Sequence, residues 1–238
     1  MNVNIFKDYT ECNTKLAEYL IKEYLCQSKN IAISGGSTPI GLFNEILKLT
    51  NKNFEVKSRI FWVDERCVEP TSEESNYGSA HKNFLSKMNI PKENIFRIKG
   101  ENKPQDEAES YSKILSKEVD IVGGIPSLDL CLLGIGGDGH TASIFPHELE
   151  KLIKINPCVV GTNPDSGQKR VSLSLNQINN SKEVIIHACG SGKREIIDKI
   201  ISKKDNYLKY PASHIKPSSK KLSWYLDFDS AENFMNQK

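Results

Sequence analysis

Long apolar runs are missing from this chain. No window of its 238 residues approaches the ~20-residue apolar length of a membrane-spanning helix. The opening stretch, "MNVNIFKDYT", has neither the apolar centre of a secretory signal nor an Arg-rich amphipathic pattern. These absences predict a soluble, cytoplasmic protein with no membrane partner. An excess of one charge is missing too. Lys and Arg number 32 against 30 Asp and Glu, a net charge of +2, and the short basic run "SSKK" (218–221) reads as a solvated loop. That balance argues against a nucleic-acid partner. Cysteines stand at 12, 26, 67, 131, 158 and 189, with no C-x-x-C pair among them. Scattered in this way they read as reduced, mostly buried thiols, and Cys67, after Arg66, reads as a plain loop thiol. The five histidines (81, 140, 147, 187 and 214) show no H-E-x-x-H spacing, so no metal is expected. Internal repeats, low-complexity tracts and a dividing linker are also absent, which makes residues 1–238 one expected domain.

What is present alternates. Leu16, Ala17, Leu20, Ile21, Tyr24 and Leu25 share one helical face. "NIAIS" (30–34) is a short apolar strand, and Pro39 opens the helix "IGLFNEILKL" after "GGSTP". "RIFWVDE" (59–65) predicts a second strand, "SNYGSAHKNFLSKM" a helix and "NIFRI" (94–98) a third strand. Ala108, Tyr111, Leu115 and Val119 mark another helix, and "LDLCLLGIG" (128–136) a fourth strand. "KRVSLSL" and "EVIIHACG" read as strands and "KREIIDKIIS" as a helix. The alternation of Val171, Leu173 and Leu175 with serines predicts a half-exposed strand in an antiparallel or edge position. Apolar strands alternating with amphipathic helices give an α/β fold whose mainly parallel sheet is covered on both faces.

Ligands of such sheets bind outside the carboxyl ends of the strands. Four loops lie there: 34–39, 64–70, 136–143 and 190–195. In "SGGSTP", Gly35 and Gly36 allow close backbone approach, while Ser37, Thr38 and a helix start offer donors to an anion. In "DERCVEP", Asp64, Glu65 and Arg66 stand where a strand ends, and an arginine there can grip phosphate or carboxylate through two bonds. "GSGKRE" is not a Walker A loop, because His187 and Arg194 stand where that motif needs glycine and Ser or Thr. Lys193 can still meet a phosphate as a point charge. In "LLGIGGDGHTASIFP", Gly134, Gly136 and Gly139 spell G-x-G-x-x-G. A dinucleotide loop needs an acid about twenty residues on, at the end of the next strand, and Lys154 stands there. No nicotinamide cofactor is therefore expected. His140 is read as lying at a helix start, and a histidine side chain suits proton transfer near neutrality. Asp138 either orients it or holds a substrate hydroxyl.

"SGGSTP", "FWVDERCVEP" with "SNYG", and "LLGIGGDGHTASIFP" resemble the three signature segments of the 6-phosphogluconolactonases. "RVSLSL", "GSGK" and the terminal "WYLDFDSA" extend the resemblance over nearly the whole chain, in the family's order. It implies a three-layer α/β/α fold with a Rossmann-like, mainly parallel sheet of the sugar-phosphate isomerase type. It implies hydrolysis of 6-phosphoglucono-1,5-lactone to 6-phosphogluconate in the oxidative pentose phosphate pathway, without cofactor. The expected partner is a phosphorylated sugar lactone, and the expected state a monomer or weak homodimer. His140 would be the general base, with Asp138 positioning it or a sugar hydroxyl. Arg66 would meet the developing oxyanion or the phosphate; Asp64 would line the substrate site. Arg170, Lys193 and the Gly35–Gly36–Ser37–Thr38 turn would hold the 6-phosphate. A deaminase acting on an amino-sugar 6-phosphate is the alternative within the superfamily. That family carries a glutamate where this chain has Phe145, and an aromatic residue where it has Arg66. A sugar-phosphate sensor with no enzymatic activity is a third reading, one that would keep the phosphate grip without needing His140.

Overall fold

The computed structural model describes residues 1–51, 53–153 and 155–235, with the backbone alone for Ser37 and 151–153. In chain order its strands are β1 (Asn2–Phe6), β2 (Asn30–Ile33), β3 (Arg59–Trp62), β4 (Asp64–Arg66), β5 (Ile95–Phe96) and β6 (Ile121–Val122). There follow β7 (Ile125–Pro126), β8 (Leu130–Leu133), β9 (Cys158–Thr162), β10 (Lys169–Leu173), β11 (Val184–Ala188) and β12 (Leu222–Asp227). The helices are α1 (Tyr9–Leu20), α2 (Ser37–Leu49), α3 (Asn76–Asn83), α4 (Pro104–Glu118), α5 (Leu175–Asn179), α6 (Arg194–Ile201) and α7 (Phe228–Met235).

Seven strands form one sheet in the order β1-β12-β11-β8-β2-β3-β5, parallel at every pairing. Parallel strands need helical crossovers, which cover both faces, so the central strands are mainly apolar. All residues of β8 and β11 are buried. Tyr111 of α4, fully buried, shows how a short ladder is completed. Its hydroxyl accepts from the Trp62 N–H (2.9 Å) and donates to the Phe96 carbonyl (3.0 Å), satisfying backbone groups at the ends of β3 and β5. Asp8 caps α1 by accepting from the Glu11 N–H at 2.9 Å.

The strand order reverses between β2 and β8. From β2 the chain steps outward to β3 and β5; from β8 it steps the other way to β11 and β12. The crevice at such a reversal is where open α/β sheets bind ligands. The loops after β2, β8 and β11, all singled out from the sequence, meet there.

Three expectations change. "RIFWVDE" is not one strand: it breaks at Val63, and β4 leaves the main sheet to pair antiparallel with β10. "NIFRI" shrinks to Ile95–Phe96. "RVSLSL" is antiparallel as expected, but β10 is the middle of the three-stranded sheet β4-β10-β9 and is not half-exposed. Its serines are buried because the backbone of neighbouring loops needs them. Ser172 Oγ accepts from the Ser143 N–H (3.0 Å), and Ser174 caps α5 through the Gln177 N–H (3.2 Å).

Candidate active site

Gly35, Gly36, Thr38, Asp64, Arg66, His140, Arg170 and Lys193 line one cleft of about 210 Å³ at the reversal point. Asp138 stands behind His140, outside the cleft wall, and faces a neighbouring hollow. The Ser37 side chain and Lys154 lie outside the described residues.

The His140 loop is held by its own backbone. The Gly136 N–H donates to the His140 carbonyl (2.9 Å), and the Thr141 hydroxyl donates to the Gly134 carbonyl (2.9 Å). His140 is not at a helix start, as the sequence implied: residues 141–144 form a tight turn with a Thr141–Ile144 bridge, and helical turns begin only at Pro146. The ring is oriented by a carboxylate. His140 Nδ1 lies 2.6 Å from Asp138 Oδ1, which also accepts the His140 backbone N–H at 3.1 Å. Partial burial would raise the Asp138 carboxyl, but the hydrogen bond and charge of His140 outweigh it, leaving Asp138 below the usual aspartate value. An ionised Asp138 accepts a hydrogen bond from Nδ1–H, so Nε2 keeps the free lone pair. Position 136 must be glycine for this pair to exist. A Cβ there would come 2.2 Å from His140 Nδ1 and 2.5 Å from Asp138 Oδ1. Ala142, which lines the cleft, sits at φ +48°, a region that non-glycine residues occupy mainly where the surroundings force them.

The opposite wall is cationic. Antiparallel pairing puts Arg170 of β10 directly across from Arg66 of β4. Arg66 Nη1 donates to the Glu74 carbonyl at 2.6 Å, while Arg170 lies over the Phe145 ring, 5.6 Å from its centroid. The Nε atoms of both arginines are buried without a hydrogen-bond partner, and among the described residues neither guanidinium is in an ion pair. Burial, and then the charge of Arg66, destabilise the charged form of Arg170. Lys193, ahead of α6, is pushed down by burial and partly restored by Asp138. Two arginines held side by side, neither in an ion pair among the described residues, favour an anion between them.

Asp64 lines the cleft, but its carboxylate works inward. Oδ2 accepts from the Ser143 hydroxyl (2.6 Å) and Oδ1 from Asn76 Nδ2 (3.3 Å), which stitches the His140 loop to β4. Glu65 turns away and accepts from the N–H groups of Arg66, Asn76 and Tyr77, each at 2.7 Å, so it organises the start of α3. Cys67 is an ordinary thiol, pushed up to about 11 by burial and by Glu65. Asn76 and His187 also line the cleft, and the sequence reading named neither for the site. Asn76 sits in the quoted "SNYG", and Gly35 makes room for it: a Cβ at 35 would meet Asn76 Oδ1 at 1.9 Å. His187 lies inside an apolar strand, and no local pattern marks it.

Phe145 lies between His140 and Arg170. Its ring packs 4.9 Å from the His140 ring, is 1% exposed, and carries Arg170 on its face. A carboxylate at this position would stand against the His140 imidazole.

A family model for glucosamine-6-phosphate isomerases/6-phosphogluconolactonase matches residues 8–224. A 6-phosphogluconolactonase of Treponema pallidum (strain Nichols) is 36% identical over 208 residues, covering 85% of this chain and 85% of its own length. One from Aggregatibacter actinomycetemcomitans is 36% identical over 241 residues, covering 98% and 99%. The solved structure of the devB protein superposes with a TM-score of 0.92 at 38% identity over 98% of each chain. The family match runs from the cap of α1 into β12 and takes in every loop of the cleft, so this chain belongs to the glucosamine-6-phosphate isomerase/6-phosphogluconolactonase family.

Proposed function

We propose that this protein is a cytoplasmic 6-phosphogluconolactonase. It hydrolyses 6-phospho-D-glucono-1,5-lactone to 6-phospho-D-gluconate, in the oxidative pentose phosphate pathway. Relatives matching it over most of their length carry that name. The observation that carries the reading within the family is local: the Asp138–His140 pair faces a cation-lined cleft, with Phe145 where a deaminase would place a carboxylate.

Water attacks the lactone carbonyl as His140 Nε2 takes its proton. The tetrahedral intermediate collapses, the bond from C1 to the ring oxygen breaks, and His140 returns the proton to that oxygen. The new carboxylic acid then ionises, releasing one proton per lactone. Asp138 keeps Nε2 facing the water and stabilises the transient imidazolium. Arg66 offsets the negative charge on the carbonyl oxygen, held in place by its bond to the Glu74 carbonyl. Arg170 and Lys193 hold the 6-phosphate together with the start of α2. That start has no side-chain cap, which leaves backbone N–H groups of the Gly36–Thr38 turn for an anion. Asp64 positions the His140 loop. A δ-lactone is an activated ester, so one proton shuttle and a fixed geometry suffice, with no nucleophilic serine and no catalytic metal or nicotinamide.

The test is acid release in a pH-stat with freshly prepared 6-phosphogluconolactone, alongside ammonia release from glucosamine 6-phosphate. One acid per lactone, well above the uncatalysed rate, and no ammonia are expected. Ammonia formed at a rate comparable with lactone hydrolysis would overturn the reading.

A further inference from the structure

Behind the cleft wall, a second group of reactive side chains gathers where the sequence shows no motif. Cys12 lies near the start of α1, and His187 and Cys189 lie at the carboxyl end of β11. Their ligand atoms, two sulfurs and a ring nitrogen, all lie within 4.8 Å of one another. The His187 Nε2 edge faces the sulfurs, 3.6 Å from Cys189 Sγ. We infer that Cys12, His187 and Cys189 form a binding site for one soft divalent cation of the zinc class.

The spacing supports this. A tetrahedral zinc with S at about 2.3 Å and N at about 2.05 Å sets neighbouring sulfur and nitrogen ligands about 3.6 Å apart. The ligand types agree as well: two thiolates and an imidazole select zinc-class ions over the hard oxygen-seeking cations. Two thiolates would neutralise the ion, which matters because Cys12 is fully buried and His187 is 3% exposed. Cys189 is only half-buried and gives the ion a way in. Asp227 of β12 adds negative charge nearby, although its oxygens already accept the N–H groups of Gly190 and Ser230.

Three protein ligands leave a fourth position for water or a small anion. The ion would bind α1 to the segment 189–193, which ends at the phosphate-holding Lys193, and would fix His187 in the cleft wall. It is separate from the His140 chemistry, and it stabilises the fold.

The experiment uses the reduced, metal-stripped full chain and Co(II) as the probe. One equivalent of Co(II) should produce thiolate-to-cobalt charge-transfer absorption in the near ultraviolet, and one equivalent of Zn(II) should abolish it. Zn(II) should also raise the melting temperature. Cys189→Ser, at the half-buried position, should lose most of the charge-transfer intensity and weaken Zn(II) binding at least about 100-fold. Cys26→Ser, at an exposed position away from the cluster, should bind like the parent. Circular dichroism of Cys189→Ser separates a lost ligand from a lost fold. Absence of the charge-transfer band in the parent would overturn the proposal. So would an equal band in folded Cys189→Ser, or a Cys12–Cys189 disulfide in protein kept under reducing conditions.

Discussion

The cleft has two walls built on opposite plans. The His140 wall is one continuous loop, 134–145, in which His140 and the Asp138 carboxylate bonded to its ring are two residues apart and partly open to solvent. The cationic wall is assembled from β4, β10 and the segment before α6, where Arg66 and Arg170 are neighbours only because two strands pair in a particular register. A base must exchange protons with water and substrate, so it needs exposure and one fixed partner. A phosphate grip, the role proposed for the cationic wall, needs positive charge that water does not screen, which burial supplies. The Ser143–Asp64 and Ser143–Ser172 hydrogen bonds hold the two walls at a fixed distance.

The sharpest way to break the comparison is to remove the proposed base. His140→Ala should lower turnover by about 10²–10⁴-fold while 6-phosphogluconate binding, measured by calorimetry, stays within a few-fold. A large loss of product affinity would mean that the two walls are not separate.

Removing a cation should do the reverse. Arg170→Ala should weaken the phosphorylated lactone by about 10- to 150-fold, corresponding to about 1.5–3 kcal/mol for a charge-assisted bond, and leave unphosphorylated gluconolactone nearly unchanged. Lys193→Met should show the same pattern with a smaller loss, since it acts as a point charge. Equal losses on both substrates would show that the arginine wall does not read phosphate.

Asp138→Asn sharpens the contrast, because it alters orientation without removing the base. Turnover should fall less than in His140→Ala. Its stability signature follows from the depressed Asp138 value. A carboxylate lowered on folding contributes stability above its unfolded value of about 3.9, and loses it as the pH falls through the lower folded value. The melting temperatures of parent and Asp138→Asn should therefore differ near pH 6 and converge in strongly acidic buffer. A gap that widens on acidification would contradict the pairing.

The smallest effect is expected from Phe145→Glu tested for ammonia release: none should appear, because Arg66 and the rest of the cleft remain as they are. Lactone hydrolysis by the same variant should fall, since a carboxylate would replace the ring that supports His140 and Arg170.

Much of the His140 wall was legible in the sequence. Gly136, Asp138, Gly139 and His140 lie within five residues, and a glycine-rich loop at the end of an apolar strand constrains itself. The parallel sheet was legible for the same reason: alternating apolar strands and amphipathic helices carry their burial in local order. The boundaries were less so. Val63 looks like one more strand residue, and only the competing pairing of β4 with β10 ends β3 at Trp62. Ser172 of β10 and Ser174 just after it looked solvent-facing, since alternation cannot tell water from the buried backbone groups that these hydroxyls serve.

The sequence by itself determined the strand–helix order, the four loops that carry glycine and reactive side chains, and the placing of Asp138 and His140 in one loop, because each depends on neighbours a few residues apart. Only the tertiary structure decided that Arg66 faces Arg170 across 104 positions of chain, that Asp64 serves the neighbouring loop, and that Asn76 fits against Gly35. It alone brought Cys12 to His187 and Cys189. Those contacts depend on sheet register and helix packing, which are settled by the burial of the whole core and leave no local pattern at the residues they bring together.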